Sequence, residues 1–301
     1  MVLKEKNKAV KNFAHELEIE GRSLWQDAFN RFSKNKAAMC SAGILSFILL
    51  LVFLGPLFIS HSYDETNWDA INLAPSFSSG YLFGTDSFGR DLFVRTLVGG
   101  RVSFVVGIVG ALVAIFLGTL YGATSGFIGG KVDQVMMRFL EILYSLPFMF
   151  FVILLVTFFG RNIFLIFLAI GAVSWLDTAR IVRGQTLSIR KKEFIDAAYV
   201  CGVSSRQVIF RHIIPNVLGL VVIYATLLVP TMILFESFLS FLGLGVQEPM
   251  TSWGALLNEG SKIMEVAPWM LLFPASFMVI TLFSFNYLGD GLRDALDPKD
   301  R

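Results

Sequence analysis

The chain has 301 residues, 55% hydrophobic and 16% charged, with 30 phenylalanines and a mean hydropathy of +0.67. Soluble domains usually carry about 25% charged residues; here the shortfall is concentrated in runs, which points away from an ordinary soluble domain and towards a polytopic membrane protein. The net charge of +2 gives no sign of a nucleic-acid partner, and the two cysteines, Cys40 and Cys201, sit in no CxxC or Cys/His spacing, so neither a disulfide framework nor a zinc site is implied.

Residues 1–37 are polar and charged and lead into no short apolar core with a small-residue cleavage site, so the first apolar run is expected to be a retained span. Within them Leu24, Trp25, Ala28, Phe29 and Phe32 recur at helical spacing opposite Arg22, Asp27 and Arg31, the pattern of a short helix lying in the membrane interface. Crossing about 30 Å of hydrocarbon takes roughly 20 apolar residues. The apolar runs predict six transmembrane helices, over 38–60, 102–127, 141–160, 162–182, 212–236 and 268–288. This divides the chain into a 1–37 N-terminal segment, a first span at 38–60, an external loop at 61–101, a core at 102–288 and a tail at 289–301.

Lysine and arginine in the connecting segments set the orientation. With the N-terminus in the cytoplasm, 20 of the 25 basic residues fall inside, and only Arg90, Arg95, Arg101, Arg161 and Lys262 fall outside. Both termini are therefore expected to be cytoplasmic, with 61–101 and 243–267 as the sizeable external segments.

Gly118, Gly122, Gly126 and Gly130 repeat every four residues, which predicts a helix face on which a neighbouring backbone approaches closely. The neighbouring SGFIGGKVD is not a nucleotide loop: Ser125 stands where its first glycine is needed and Val132 follows the lysine. Glu141, Asp177 and Glu236 are expected near the ends of spans, so no charge cluster at the bilayer centre marks an ion-coupled carrier. HExxH and GxSxG are absent, and His15, His61 and His212 are scattered, so no catalytic or metal site is expected.

The segment from about 192 to 204 is too polar for lipid and too regular for a slack loop. Phe194, Ile195, Ala198 and Cys201 are apolar, while Glu193 and Asp196 fall in the first turns, where the helix dipole favours negative charge. Gly202 suits a left-handed C-terminal cap, and Ser204 with Gln207 has the spacing of a capping box opening a second helix. Pro215 falls inside that second helix and is expected to bend it. Ala197 and Ala198 would leave a shallow surface for close contact. Such a helix either carries movement from a soluble partner into the membrane or rests on the lipid headgroups.

Asp196-Ala197-Ala198, three residues, Gly202 and then Pro215 resemble the EAA loop of binding-protein-dependent ABC transporter permeases, E-A-A-x3-G-x9-I-x-L-P. Asp196, His212 and Ile214 depart from that pattern, standing for Glu, Ile and Leu. FGTDSFGRDLFVRTLVGGRVSF at 83–104, ARIVRGQTLSIRKKEF at 179–194, ESFLSFLGLGVQEPMTSWG at 236–254 and FNYLGDGLRDALDPKDR at 285–301 are similar to the second, C-type permease of the dipeptide/oligopeptide/nickel subfamily. The resemblance implies an all-α, type I importer permease in the bacterial cytoplasmic membrane, moving peptide or, alternatively, nickel or another small solute. It implies a heterodimer with a homologous second permease, two cytoplasmic ATP-binding subunits that hydrolyse the ATP, and an extracytoplasmic binding protein. Glu193, Asp196, Ala197, Ala198 and Gly202 are then the positions of a coupling helix, and the chain itself carries no cofactor and no ATPase.

Overall fold

The computed structural model describes residues 24–160 and 163–296; His15, Arg22, Arg161, the basic residues before them and the last five residues lie outside that range. The described residues form helices with no named strand. In chain order these are α1 (Leu24–Lys34), α2 (Lys36–Leu54), α3 (Leu92–Ile128), α4 (Gly130–Ser145), α5 (Phe148–Phe159), α6 (Ile163–Ile189) and α7 (Glu193–Val200). They continue with α8 (Ser205–Phe241), α9 (Trp253–Lys262) and α10 (Trp269–Leu296). Among the described residues four helices are long and apolar enough to cross a membrane, α2, α3, α8 and α10, or five if α4 and α5 are taken together as one broken span.

Each start and stop has a local cause. Asn35 caps α2 by accepting from Ala38 N–H at 3.2 Å. Asp91 caps α3 by accepting from Phe93 and Val94 N–H at 2.8 and 3.4 Å, so this helix begins at Leu92, well before the expected 102. Its 37 residues extend about 55 Å, far beyond the hydrocarbon thickness. The span expected over 141–160 is broken, with a 76° bend between its halves. Proline disfavours helical geometry in the residue before it, and Leu146, before Pro147, is extended at φ −82°, ψ 123°.

The bundle is built on α3, which packs against α6 along one side and against α8 and α2 on others. One apolar core joins Val52 of α2, Phe104 of α3, Met232 of α8, Trp253 of α9 and Phe285 of α10. Trp253 is fully buried, donates its indole N–H to Thr96 O at 3.0 Å and meets Phe104 edge-on at 5.5 Å. α1 lies against α10, where a Cβ added at Gly291 would be 3.4 Å from Phe32. Phe29, on the other side of α1, is 68% exposed. Arg101 of α3 caps the end of α2 by donating to Val52 O and Phe53 O at 2.9 and 2.7 Å.

Candidate functional site

At the end of the bundle where α3 and α6 terminate near one another, α7 lies across the surface. Ile195 and Ala198 are buried, packing with Phe127 of α3, Val182 and Ile189 of α6, and Val208 and Ile213 of α8. Glu193, Phe194, Asp196, Ala197, Tyr199, Val200, Cys201 and Gly202 remain exposed, Val200 at 89%. The shallow surface expected from Ala197 and Ala198 is thus divided: Ala197 faces out and Ala198 faces the bundle. A single apolar periodicity could not separate these two neighbours, because both faces of α7 carry apolar side chains.

The turn after α7 is rigid by construction. Gly202 N–H donates to Tyr199 O at 2.9 Å and Val203 N–H to Ala198 O at 3.1 Å, the paired bonds of a Schellman cap. Gly202 has φ +76°, a backbone conformation that costs an L-residue roughly 1 kcal/mol or more. Ser204 then opens α8 with a complete capping box, its hydroxyl accepting from Gln207 N–H while the Gln207 side chain accepts from Ser204 N–H. Exchanging Gly202 for Ala is expected to lower stability by about 1 kcal/mol, read as a shift in the detergent-solubilised melting curve. Nothing lies within 4 Å of the added methyl, so strain alone would be measured.

Pro215 does not break α8. Directly before it, Ile209–Ile213 form a π turn in which Ile214 N–H donates to Ile209 O. The wider turn makes room for a ring that cannot donate.

Two features join the helices beneath α7 to one another. Added Cβ atoms at Gly118, Gly122 and Gly126 would each collide with the α6 backbone or with Thr178 and Thr186, so α3 and α6 meet at backbone distance. Gly130 does not share that face: it opens α4 at φ +60° with nothing within 4 Å, because the helix ends at Gly129 and the four-residue repeat ends with it. Asp133 of α4 receives a bidentate grip from Arg183 of α6, at 2.5 and 2.6 Å, and a third bond from Ser125 of α3 at 2.5 Å. That triple junction was not legible beforehand, since its partners are far apart in sequence and share no spacing rule.

The opposite end of the bundle holds a second ionic assembly. Arg95, fully buried, donates to both oxygens of Glu259 at 2.8 and 3.1 Å and also to Asp86. Arg90 donates to Asp86 at 2.6 Å and to Glu248 at 3.0 Å. Burial works against the Arg90 charge, but the carboxylates of Asp86 and Glu248 outweigh it and raise its pKa above the ordinary arginine value. Asp86 also accepts from Phe88 and Arg90 N–H at 2.8 and 2.9 Å, closing the GTDSFGRD loop on itself. The assembly fastens that loop to the 243–267 segment. His61 pairs with Asp91 at 3.2 Å beside it.

The charges expected near span ends behave differently from one another. Glu141 makes an exposed pair with Arg138 at 3.0 Å. Glu236 is wholly buried, accepting from Ser103 and Ser240 at 3.0 and 2.6 Å. Asp177 is not near the end of its helix: α6 continues to Ile189, and Asp177 accepts from the Tyr144 hydroxyl of α4. Among the described residues no group of His, Cys, Asp and Glu is arranged to hold a metal. Pro147, which breaks the span, and Glu248 and Glu259, which complete the ionic assembly, are the structurally decisive residues that sequence patterns did not single out.

A long helical core, a short helix laid across one end and a capped turn into the next span define an all-helical bundle with four helices long and apolar enough to cross a membrane among the described residues. A model of the family described as "Binding-protein-dependent transport system inner membrane component" matches residues 114–301. The chain belongs to this family, and is a multi-pass permease subunit of an ABC importer. A second model, "N-terminal TM domain of oligopeptide transport permease C", matches residues 23–75. Over 301 residues the chain is 64% identical to the oligopeptide transport system permease protein OppC of Escherichia coli K12, covering 100% of both. It is 42% identical over 288 residues to OppC of Bacillus subtilis, covering 96% of this chain and 94% of that one. To the dipeptide transport system permease protein DppC of Bacillus subtilis it is 42% identical over 280 residues, covering 93% and 87%.

Proposed function

We propose that this chain is one of two homologous permeases of an ATP-driven importer that takes up oligopeptides, and that α7 is the helix through which its ATP-binding subunits drive it. The cargo is carried over from relatives whose names specify oligopeptide and dipeptide transport. In this reading the chain crosses the bilayer six times with both termini cytoplasmic, because most of its lysines and arginines then lie inside. Two cytoplasmic ATP-binding subunits, a second permease and an extracytoplasmic binding protein complete the system.

The observation that carries the coupling role is the division of α7 into two faces. Ile195 and Ala198 are packed into a cluster that includes α3, α6 and α8, while Ala197, Val200 and Cys201 are exposed on the other side. A push on the exposed face is therefore delivered to three membrane helices at once. Glu193 and Asp196, both exposed in the first turn, offer charges to a docking groove. A helix that only rested on headgroups would have no need of a Schellman cap and a capping box fixing its angle to α8.

Cross-linking tests this directly. Cys201 is native and exposed, and with Cys40 replaced it becomes the single attachment point. In membranes containing the complete transporter, the expected product joins this chain to an ATP-binding subunit with a yield that changes on adding nucleotide. A probe shown to be reactive at Cys201 that never reaches an ATP-binding subunit, with uptake intact, would refute the coupling role. A cysteine at Ala197 should behave like Cys201, whereas one at the inward-facing Ala198 should react poorly.

A further inference from the structure

The segment between α2 and α3 forms a surface whose shape is fixed within the subunit. Two stretches of it lie side by side: Asn67 N–H donates to Phe88 O at 3.2 Å, Asn72 N–H to Asp86 O at 3.1 Å and Thr85 N–H to Leu73 O at 3.0 Å. Gly89, at φ +73°, is so close to Asn67 that an added Cβ would run into the Asn67 carbonyl. Asn67 in turn caps the short turn Trp68–Ala70 by accepting from Asp69 N–H at 3.1 Å, and its side-chain amide donates to the Tyr81 hydroxyl at 3.2 Å. A surface held in this way is ordered before a partner arrives, which lowers the cost of an encounter.

Trp68 is 67% exposed and meets Phe88, itself exposed, edge-on at 6.4 Å. The Arg90 guanidinium lies 4.7 Å over the Phe88 ring and reaches the exposed carboxylate of Glu248 at 3.0 Å. The aromatic pair is thus flanked by Asp69 in sequence and by Glu248 in space. Asp64 and Glu65 are exposed as well. Between residues 61 and 91 there is no lysine, and the one arginine, Arg90, is buried, so the exposed charge of the loop is acidic.

This chemistry selects among occupants. A phospholipid surface presents phosphates, which the carboxylates of Asp64, Glu65 and Asp69 repel. A permanent subunit contact resembles a domain core, apolar and poor in charge. An aromatic centre with a charged rim is the pattern of a contact that forms and dissociates, the rim steering the approach. The loop adjoins Leu92, where α3 begins, whereas α7 packs at the Ile128 end, about 55 Å away along that helix. With the ATP-binding subunits at α7, the loop faces the other side of the membrane. We propose that Trp68 and Phe88, with Asp69 and Glu248 around them, are a docking surface for the extracytoplasmic binding protein, whose matching face is an apolar patch edged with lysine or arginine; this rests on the importer reading above.

The test uses the complete transporter in liposomes, with tripeptide-loaded binding protein of the same importer added outside, and reads the binding-protein concentration that gives half-maximal uptake. For W68A that concentration is expected to rise at least about tenfold, the scale of a truncated interface hot spot, with a smaller change at saturation. D69K is expected to raise it too and to weaken its dependence on salt, whereas F29A, which removes an exposed ring from α1, is expected to leave it unchanged. An unchanged half-saturating concentration in W68A would overturn the proposal. So would a W68A subunit that no longer assembles with the second permease, which would make the patch a subunit contact. A shift present in liposomes but absent from binding-protein-stimulated ATP hydrolysis in detergent would overturn it as well, by making Trp68 a lipid anchor. Sidedness is read separately from Ser87→Cys, with Cys40 and Cys201 replaced and a membrane-impermeant maleimide as probe: labelling from the cytoplasmic side alone would refute the orientation in the importer reading, a result distinct from an unchanged W68A.

Discussion

Replacing Arg95 with methionine is expected to produce the largest loss of stability of any single substitution in the polar end of this bundle. Arg95 is 0% exposed and sits between Asp86 and Glu259, so its removal takes away the two-oxygen grip on Glu259 and leaves Arg90, 2.6 Å from Asp86 and 3.9 Å from Glu259, as the cation the two carboxylates still share. Breaking a buried ionic pair from one side typically costs about 3–5 kcal/mol, a large part of the roughly 5–15 kcal/mol that stabilises a folded domain. The measurement is the melting temperature of the detergent-purified subunit together with its abundance in membranes. Lysine at the same position keeps the charge but cannot grip both oxygens of Glu259, so an intermediate loss is expected. Combining Arg95→Met with Glu259→Gln should cost clearly less than the sum of the two, because the second change removes the charge that the first deprives of its two-oxygen grip. Simple additivity, or an unchanged melting temperature, would show that the loop and α9 are held by packing around Trp253 instead.

Gly122→Leu is the second large effect, and it bears on function as well as folding. A Cβ at Gly122 would be 2.9 Å from Arg183 N and closer still to Ala179 O, so the obstruction is backbone and cannot rotate away. Overpacking a core commonly costs about 1–3 kcal/mol, and a leucine wedged between two helix backbones is expected at or above the upper end. Gly122→Ala should already be harmful. Gly219→Ala in α8 is the matched control: nothing lies within 4 Å of that position, and alanine favours helix by about 1 kcal/mol over glycine, so no loss is expected. Since α3 and α6 both contribute to the cluster beneath α7, any Gly122→Ala protein that does assemble should hydrolyse ATP with reduced uptake per ATP. Full uptake per ATP in that variant would mean that the α3–α6 contact is not part of the mechanical connection.

Much of this architecture was legible in the sequence because membrane helices obey simple rules. Apolar runs long enough to cross hydrocarbon located α2, α3, α8 and α10, and the four-residue glycine repeat located the α3–α6 contact through its first three members. Cap chemistry was equally local: Gly202, Ser204 and Gln207 specify the turn after α7 through bonds spanning a few residues, so sequence spacing was sufficient. The ordered family segments identified the class of transporter.

What the sequence could not supply depended on residues brought together from a distance or on which side of a helix faces the bundle. Gly130 continues the numerical repeat but not the helix, which ends at Gly129 with positive φ. Ala198 is identical in type to Ala197, and only packing against Phe127 and Val208 decides that one is buried and the other presented. Asp177 is expected near a span end because the apolar run fades there; the helix itself continues to Ile189 as a polar-faced segment, something hydropathy cannot distinguish from a loop. The ionic assembly joins residues 86–95 to 248 and 259, and the Asp133 junction joins three helices. Sequence alone determines local geometry and apolar length, since those are set by near neighbours and by the solvent; the ion pairs and the buried and exposed faces were decided by tertiary packing, because burial and charge pairing are properties of the assembled bundle.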